Sequence, residues 1–224
     1  MKPRRKSKIS ARKISKKSRF HVYRTSPTKT LLISDSQARE FDAGNLNVIS
    51  LPGASVRHVY KILPPKGRFD VIILFIGGND LYNWTEPSTI PAESVSKQIE
   101  EVANALCSRA KQVYVIGIPE RDQNKTRSRE VNDALQATAN RSNKSQSPVK
   151  WKFRSVVNYL TGARYFSPRD LIHLNRDGLN NLRNLIKAKI LYKSYSKELN
   201  LRGNEALYTC QTNNCRCPCR YWCW

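Results

Sequence analysis

Residues Asp70 to Ile76 read Asp-Val-Ile-Ile-Leu-Phe-Ile, apolar at six successive positions, and two glycines follow. A strand with one wet face alternates apolar and polar residues, because its side chains point to opposite faces in turn. An uninterrupted apolar run of this length instead fits a strand covered on both faces, the pattern of parallel sheets. Gln112 to Ile118 (Gln-Val-Tyr-Val-Ile-Gly-Ile) repeats that character. A chain with two such strands must find helices to lay over both sides of them.

The flanking segments supply the helices. Val95, Ile99, Val102 and Leu106 recur at steps of three and four, with Pro91 where a first helical turn tolerates it. Cys107 falls within this pattern and reads as a small buried hydrophobe. Arg127 to Asn143 reads as a polar helix with Val131 and Leu135 inward, and Leu179, Leu182, Leu185, Ile186 and Ile190 mark a final amphipathic helix. Further strands are expected at Lys29–Ile33, at Asn47–Leu51 and, more weakly, at Val149–Val157. Strand and helix in alternation predict an α/β fold, a parallel sheet of about five strands between helix layers. Such sheets collect functional residues on loops past the carboxyl ends of their strands. The length, 224 residues, suits one such domain at 29–200 plus two tails, 1–28 and 201–224.

Charge separates the tails from the domain. The chain carries 40 Lys and Arg against 17 Asp and Glu, a net charge of +23. Residues 1–30 hold twelve of the basic residues and no acid, so residues 1–28 read as a self-repelling disordered arm. Its expected partners are polyanions such as RNA or DNA, although a solubilising tail or a nuclear address fits equally. The basic start is followed by no apolar stretch of the signal-peptide kind, and Val71–Ile76 is too short to span a bilayer. A cytoplasmic or nuclear protein without a transmembrane segment is expected.

Three short stretches hold the residues for chemistry. The first is Ser34-Asp35-Ser36, the second Gly77-Gly78-Asn79-Asp80, the third Asp170-Leu171-Ile172-His173. A serine hydroxyl attacks poorly until a base takes its proton. Of the three histidines, His21 lies in the basic arm and His58 in a helical segment. Only His173 has a carboxylate three residues earlier, at Asp170. That carboxylate can orient the imidazole, as in a Ser-His-Asp triad. An oxyanion formed by attack needs fixed donors, for which Ser36 N–H, Gly53 N–H and the Asn79 amide are candidates. Other readings are open at each position: Ser36 as a helix cap, Asn79 and Asp80 as turn residues, Asp170 and His173 as a surface pair. Tyr82 and Trp84 can line a substrate pocket or pack a long loop.

In this order the blocks resemble the SGNH (GDSL-type) hydrolases, whose four blocks are a Gly-Asp-Ser, a lone Gly, a Gly-x-Asn-Asp and an Asp-x-x-His. The likeness runs over about residues 29–195 and continues through His173-Leu174-Asn175-Arg176-Asp177-Gly178. It implies a flavodoxin-like three-layer sandwich and hydrolysis of a small ester or lipid-like substrate with no cofactor. Ser36 would be nucleophile, His173 base, Asp170 its orienter, and Ser36, Gly53 and Asn79 the oxyanion hole. One departure is Ser34 where the family has glycine.

Five of six cysteines, Cys210, Cys215, Cys217, Cys219 and Cys223, crowd into the last fifteen residues. In a reducing compartment four of them can surround a structural zinc. A disulfide-bonded end and a module that binds nothing are the competing readings. The first three resemble half of the CXC cysteine-rich DNA-binding modules, and Tyr208, Tyr221, Trp222, Trp224, Arg216 and Arg220 nearby suit nucleic-acid contacts. Basic segments around an SGNH domain are similar to proteins of some retrotransposons. The rival to an enzyme is therefore an OSK-like RNA- or DNA-binding protein on the same fold. A third option is a packaging protein in which that fold is a relic.

Overall fold

The computed structural model describes residues 21–23, 29–41, 46–82, 90–121, 125–144, 151–157 and 159–191. Strands β1 (His21–Tyr23), β2 (Thr30–Asp35), β3 (Asn47–Leu51), β4 (Phe69–Phe75), β5 (Ala110–Ile116) and β6 (Trp151–Arg154) form one sheet. Its order is β1-β3-β2-β4-β5-β6. The five strands from β2 to β6 run parallel, as the continuous apolar runs required. Helices α1 (Val56–Val59), α2 (Gly78–Leu81), α3 (Ala92–Cys107), α4 (Lys125–Lys144) and α5 (Arg176–Ile186) complete the regular elements, and a π-helical turn, Lys187–Leu191, extends the last.

Alternation along each strand divides the apolar residues between two cores. Ile72 and Leu74 of β4 pack with Val113 and Val115 of β5 against α1, α3 and α4, through Val56, Ile99, Val102, Val131 and Leu135. Val71, Ile73 and Phe75 face the other way with Tyr114 and Ile116, against Leu182, Leu185 and Ile186 of α5. Each fully buried aliphatic or aromatic side chain contributes about 1.5–3 kcal/mol. The expected three-layer α/β sandwich is the fold the chain adopts. Cys107 sits half-buried at the rim of the first core.

Strand ends differ from expectation by a residue or two, for local reasons. β4 stops before Ile76 because the chain turns at Gly77, whose φ is +113°. β6 ends at Arg154 rather than Val157, since Val156 leaves the strand to join the second core. The larger difference is β1. Sequence reading places His21–Tyr23 inside an unstructured arm, yet these residues pair antiparallel with β3, His21 opposite Ser50. An edge strand presents unmade backbone hydrogen bonds, and even a three-residue segment can occupy them. The remainder of the basic arm, Trp84 and the cysteine cluster lie outside the described residues. No helix among the described residues is long and apolar enough to cross a membrane.

The sheet register sets up the site. Asp35 lies opposite Leu51, and Ser34 opposite Phe75. The chain therefore leaves β2, β3 and β4 at one level, presenting Ser36, Gly53 and Gly77–Asn79 side by side. Strand order reverses between β2 and β4, and such a switch point opens a crevice at the carboxyl edge.

Candidate active site

The turn that carries Ser36, the candidate nucleophile, is built from the last residue of β2. Asp35 Oδ1 accepts the Gln37 N–H at 2.9 Å and caps a 3-10 turn over Ser36–Ala38. Asp35 thus does the capping, and the Ser36 hydroxyl is left for other use. Ser34 stands in the extended strand just before, so the position needs no glycine for its backbone conformation. Its cost lies elsewhere, in a buried hydroxyl without a hydrogen-bond partner.

The candidate base, His173, comes from the loop before α5. Asp170 Oδ1 accepts the N–H groups of Ile172 (2.9 Å) and His173 (3.0 Å), closing a tight turn. Leu171 within it has φ +52°, the sole positive φ outside glycine among the described residues. The other carboxylate oxygen, Oδ2, lies 2.7 Å from His173 Nδ1. A carboxylate only accepts, so Nδ1 carries the proton and Nε2 of the neutral ring presents its lone pair. Nε2 lies 3.0 Å from Ser36 Oγ, a contact across 137 positions of sequence. Burial pushes the Asp170 carboxyl up, but the His173 hydrogen bond and the two N–H groups outweigh it and hold the group below the usual carboxylate range.

The third side joins two loops. Gly53 occupies the turn after β3 with φ +71°. The next residue, Ala54, accepts a hydrogen bond from Asn79 Nδ2 at 2.9 Å through its carbonyl, and Asp80 Oδ2 accepts the Val56 N–H at 3.0 Å. One amide hydrogen of Asn79 is thereby fixed and the second remains to be donated. A side chain at Gly77 would place Cβ 2.9 Å from Ile118 Cδ1, in a conformation that already favours glycine. Burial pushes the Asp80 carboxyl up to about 6, against the opposing pull of the Val56 N–H and the Arg57 charge.

Two residues at the site carry no signal in the sequence. Gln37 is buried, donates through Nε2 to the Ile172 carbonyl (3.1 Å) and accepts the Leu174 N–H at Oε1 (3.2 Å). Arg121 is 3% exposed, and its three guanidinium nitrogens make no hydrogen bond. A Cβ on Gly78 would lie 3.0 Å from Arg121 Nη2 and 3.5 Å from Asp35 Oδ2, so that glycine separates the two charges. The Arg121 loop is pinned from α4, where the Asn132 carboxamide accepts the Ile118 N–H and donates to the Ile118 carbonyl. Burial pushes the Asp35 carboxyl up to about 6, with the Gln37 N–H and the Arg121 charge pulling the other way. Tyr82 lies at the end of α2, half-buried.

No family model matches the sequence. No curated protein matches it either. Solved structures do match. A lipase/acylhydrolase from Enterococcus faecalis aligns at 18% identity with TM-score 0.52, over 72% of this chain and 94% of that one. A GDSL-like lipase from Bacteroides thetaiotaomicron aligns at 12% identity and TM-score 0.54, over 76% and 93%. A catalytic mutant of an acetylxylan esterase from Geobacillus stearothermophilus aligns at 15% identity and TM-score 0.50, over 73% and 94%. At these identities the likeness is one of fold, and the fold of this chain is that of the GDSL/SGNH-type hydrolases.

Proposed function

We propose that the protein is a serine-dependent hydrolase of carboxylic esters. The observation that carries this reading is one continuous hydrogen-bonded line, Ser36 Oγ to His173 Nε2 at 3.0 Å and His173 Nδ1 to Asp170 Oδ2 at 2.7 Å. Ser36 Oγ attacks the acyl carbonyl as Nε2 takes its proton, and Asp170 stabilises the imidazolium. The oxyanion is held by the N–H groups of Ser36 and Gly53 and by the free amide hydrogen of Asn79, each worth about 3 kcal/mol of barrier. His173 then protonates the departing alcohol oxygen, leaving Ser36 acylated. Water, deprotonated by the same Nε2, releases the acid. Every step is carried by the chain's own groups.

Turnover of 4-nitrophenyl acetate tests the reading. Ser36→Ala and His173→Ala should each lower kcat by about 10^4-fold or more. Equal turnover in wild type and both variants would overturn it. A nucleic-acid setting is a further part of the proposal. It is supported by the twelve basic residues of positions 1–30 and by the excess of 26 basic over 17 acidic side chains in 31–207. Affinity for RNA or DNA that survives Ser36→Ala, falls steeply with salt and drops on removing residues 1–28 is the expected signature.

A further inference from the structure

Gln37 follows the nucleophile directly, and its own N–H is held by Asp35 Oδ1. Its side chain leaves that turn and reaches the loop that bears the base, 135 and 137 positions away. The two backbone groups it meets, the Ile172 carbonyl and the Leu174 N–H, stand immediately before and after His173. Chemistry fixes the orientation of the amide, since a carbonyl needs a donor and an N–H needs an acceptor. Ile172 and Leu174 are 3% and 6% exposed, so water is poorly placed to replace either bond. Other ties hold the loop to itself and to the segment before it: Asp170 holds the N–H groups of Ile172 and His173, Ser167 accepts the Leu171 N–H at 2.8 Å, and the His173 carbonyl accepts the Ser167 N–H at 2.7 Å. None of these ties the loop to the nucleophile turn. Gln37 joins the nucleophile turn to the backbone on both sides of His173.

We propose that Gln37 is a positioning residue whose carboxamide sets the distance and angle between His173 Nε2 and Ser36 Oγ. The proposal rests on the hydrolase reading for its kinetic consequence, but not for its structural one. A base displaced by about 1 Å can lose on the order of 10^2-fold in rate. Substrate binding should be largely spared, because the Gln37 side chain is buried and spends both ends of its amide on the His173 loop.

Two variants and two readouts test it. Gln37→Met keeps length and apolar bulk but removes both hydrogen bonds, and kcat for 4-nitrophenyl acetate should fall about 10- to 100-fold with KM within about twofold. Gln37→Glu offers a finer probe. When protonated, a carboxyl group can donate to Ile172 and accept from Leu174, whereas the carboxylate can only accept. Its activity relative to wild type should therefore fall as pH rises, a trend that Gln37→Met must not show. The charged and titratable groups around the position are Asp35 and Arg121, which share its cleft, and Asp170 and His173 on the facing loop. They are present in both variants, and Gln37→Met, which adds no charge, records their own contribution to the pH trend.

The second readout needs no turnover: the imidazole nitrogen-15 shifts of His173 in wild type and Gln37→Met. Nε2 should move toward the value of an acceptor without a partner. Unmoved shifts would overturn the proposal, as would a loss of activity that only follows the fraction folded. Shifts that move in a protein with no esterase turnover would uphold the clamp while the hydrolase reading fails.

Discussion

The two carboxylates nearest the Ser36–His173 contact have opposite fates. Asp170, on the loop before α5, is partly open to solvent, receives two backbone N–H bonds and faces an imidazole, and its carboxyl is held below the usual range. Asp35, at the end of β2, is buried, has one backbone N–H, and is pushed up to about 6 although a guanidinium lies nearby. The Arg121 charge acts on Asp35 only through space, because the pair makes no hydrogen bond. Depth of burial first, and then the number of donors in contact, separate the two carboxyls more than the presence of a cation in the vicinity.

The sharpest way to break this contrast is Asp170→Asn. The amide can still accept the Ile172 and His173 N–H groups, but its nitrogen would face Nδ1 and favour the wrong tautomer. We expect kcat to fall about 10^4-fold with thermal stability little changed. Next is the pH dependence of folding. A carboxyl raised from 3.8 to about 6 binds protons more tightly in the native state. The stability this contributes is fully present below about pH 4 and is lost as pH rises through about 6, roughly 3 kcal/mol in all. Asp35→Asn keeps the acceptor for Gln37 and removes the titration. Urea unfolding should therefore show the variant gaining on wild type by about that amount between pH 4 and 7.5, and Arg121→Met should move the wild-type window upward in pH. A gap between Asp35→Asn and wild type that does not change with pH would refute the account. The smallest effect belongs to Ser34→Ala, which removes a buried hydroxyl without a partner. A gain of about 1 kcal/mol is expected, read as a rise of about 2–4 °C in Tm.

The layered sheet was legible because Val71–Ile76 and Val113–Ile118 are apolar at nearly every position, which leaves little choice but burial on both faces. β1 was not, since three residues beside a basic run carry no period and owe their conformation to the edge they meet. Ser36, Asp170 and His173 could be singled out because His173 alone of three histidines has a carboxylate three residues before it and the four blocks occur in order, and the structure brings the three side chains into one line. Gln37 and Arg121 could not. A glutamine after a serine and an arginine in a polar stretch are ordinary in sequence. Their importance arises only when a distant loop lands on one and a glycine hydrogen leaves room for the other. Ser34, which stands where the resembled family has glycine, has a plain strand backbone, and its defect is an unmade hydrogen bond.

The contact from Ser36 to His173 bridges 137 positions. At translation rates of 5–20 residues per second, the hydroxyl leaves the ribosome roughly 7 to 27 seconds before its imidazole. Throughout that interval the Ser36 hydroxyl of the nascent polypeptide has no imidazole beside it. Hydrolytic competence, on the proposed reading, has to wait for the segment that carries Asp170 and His173 to reach the sheet.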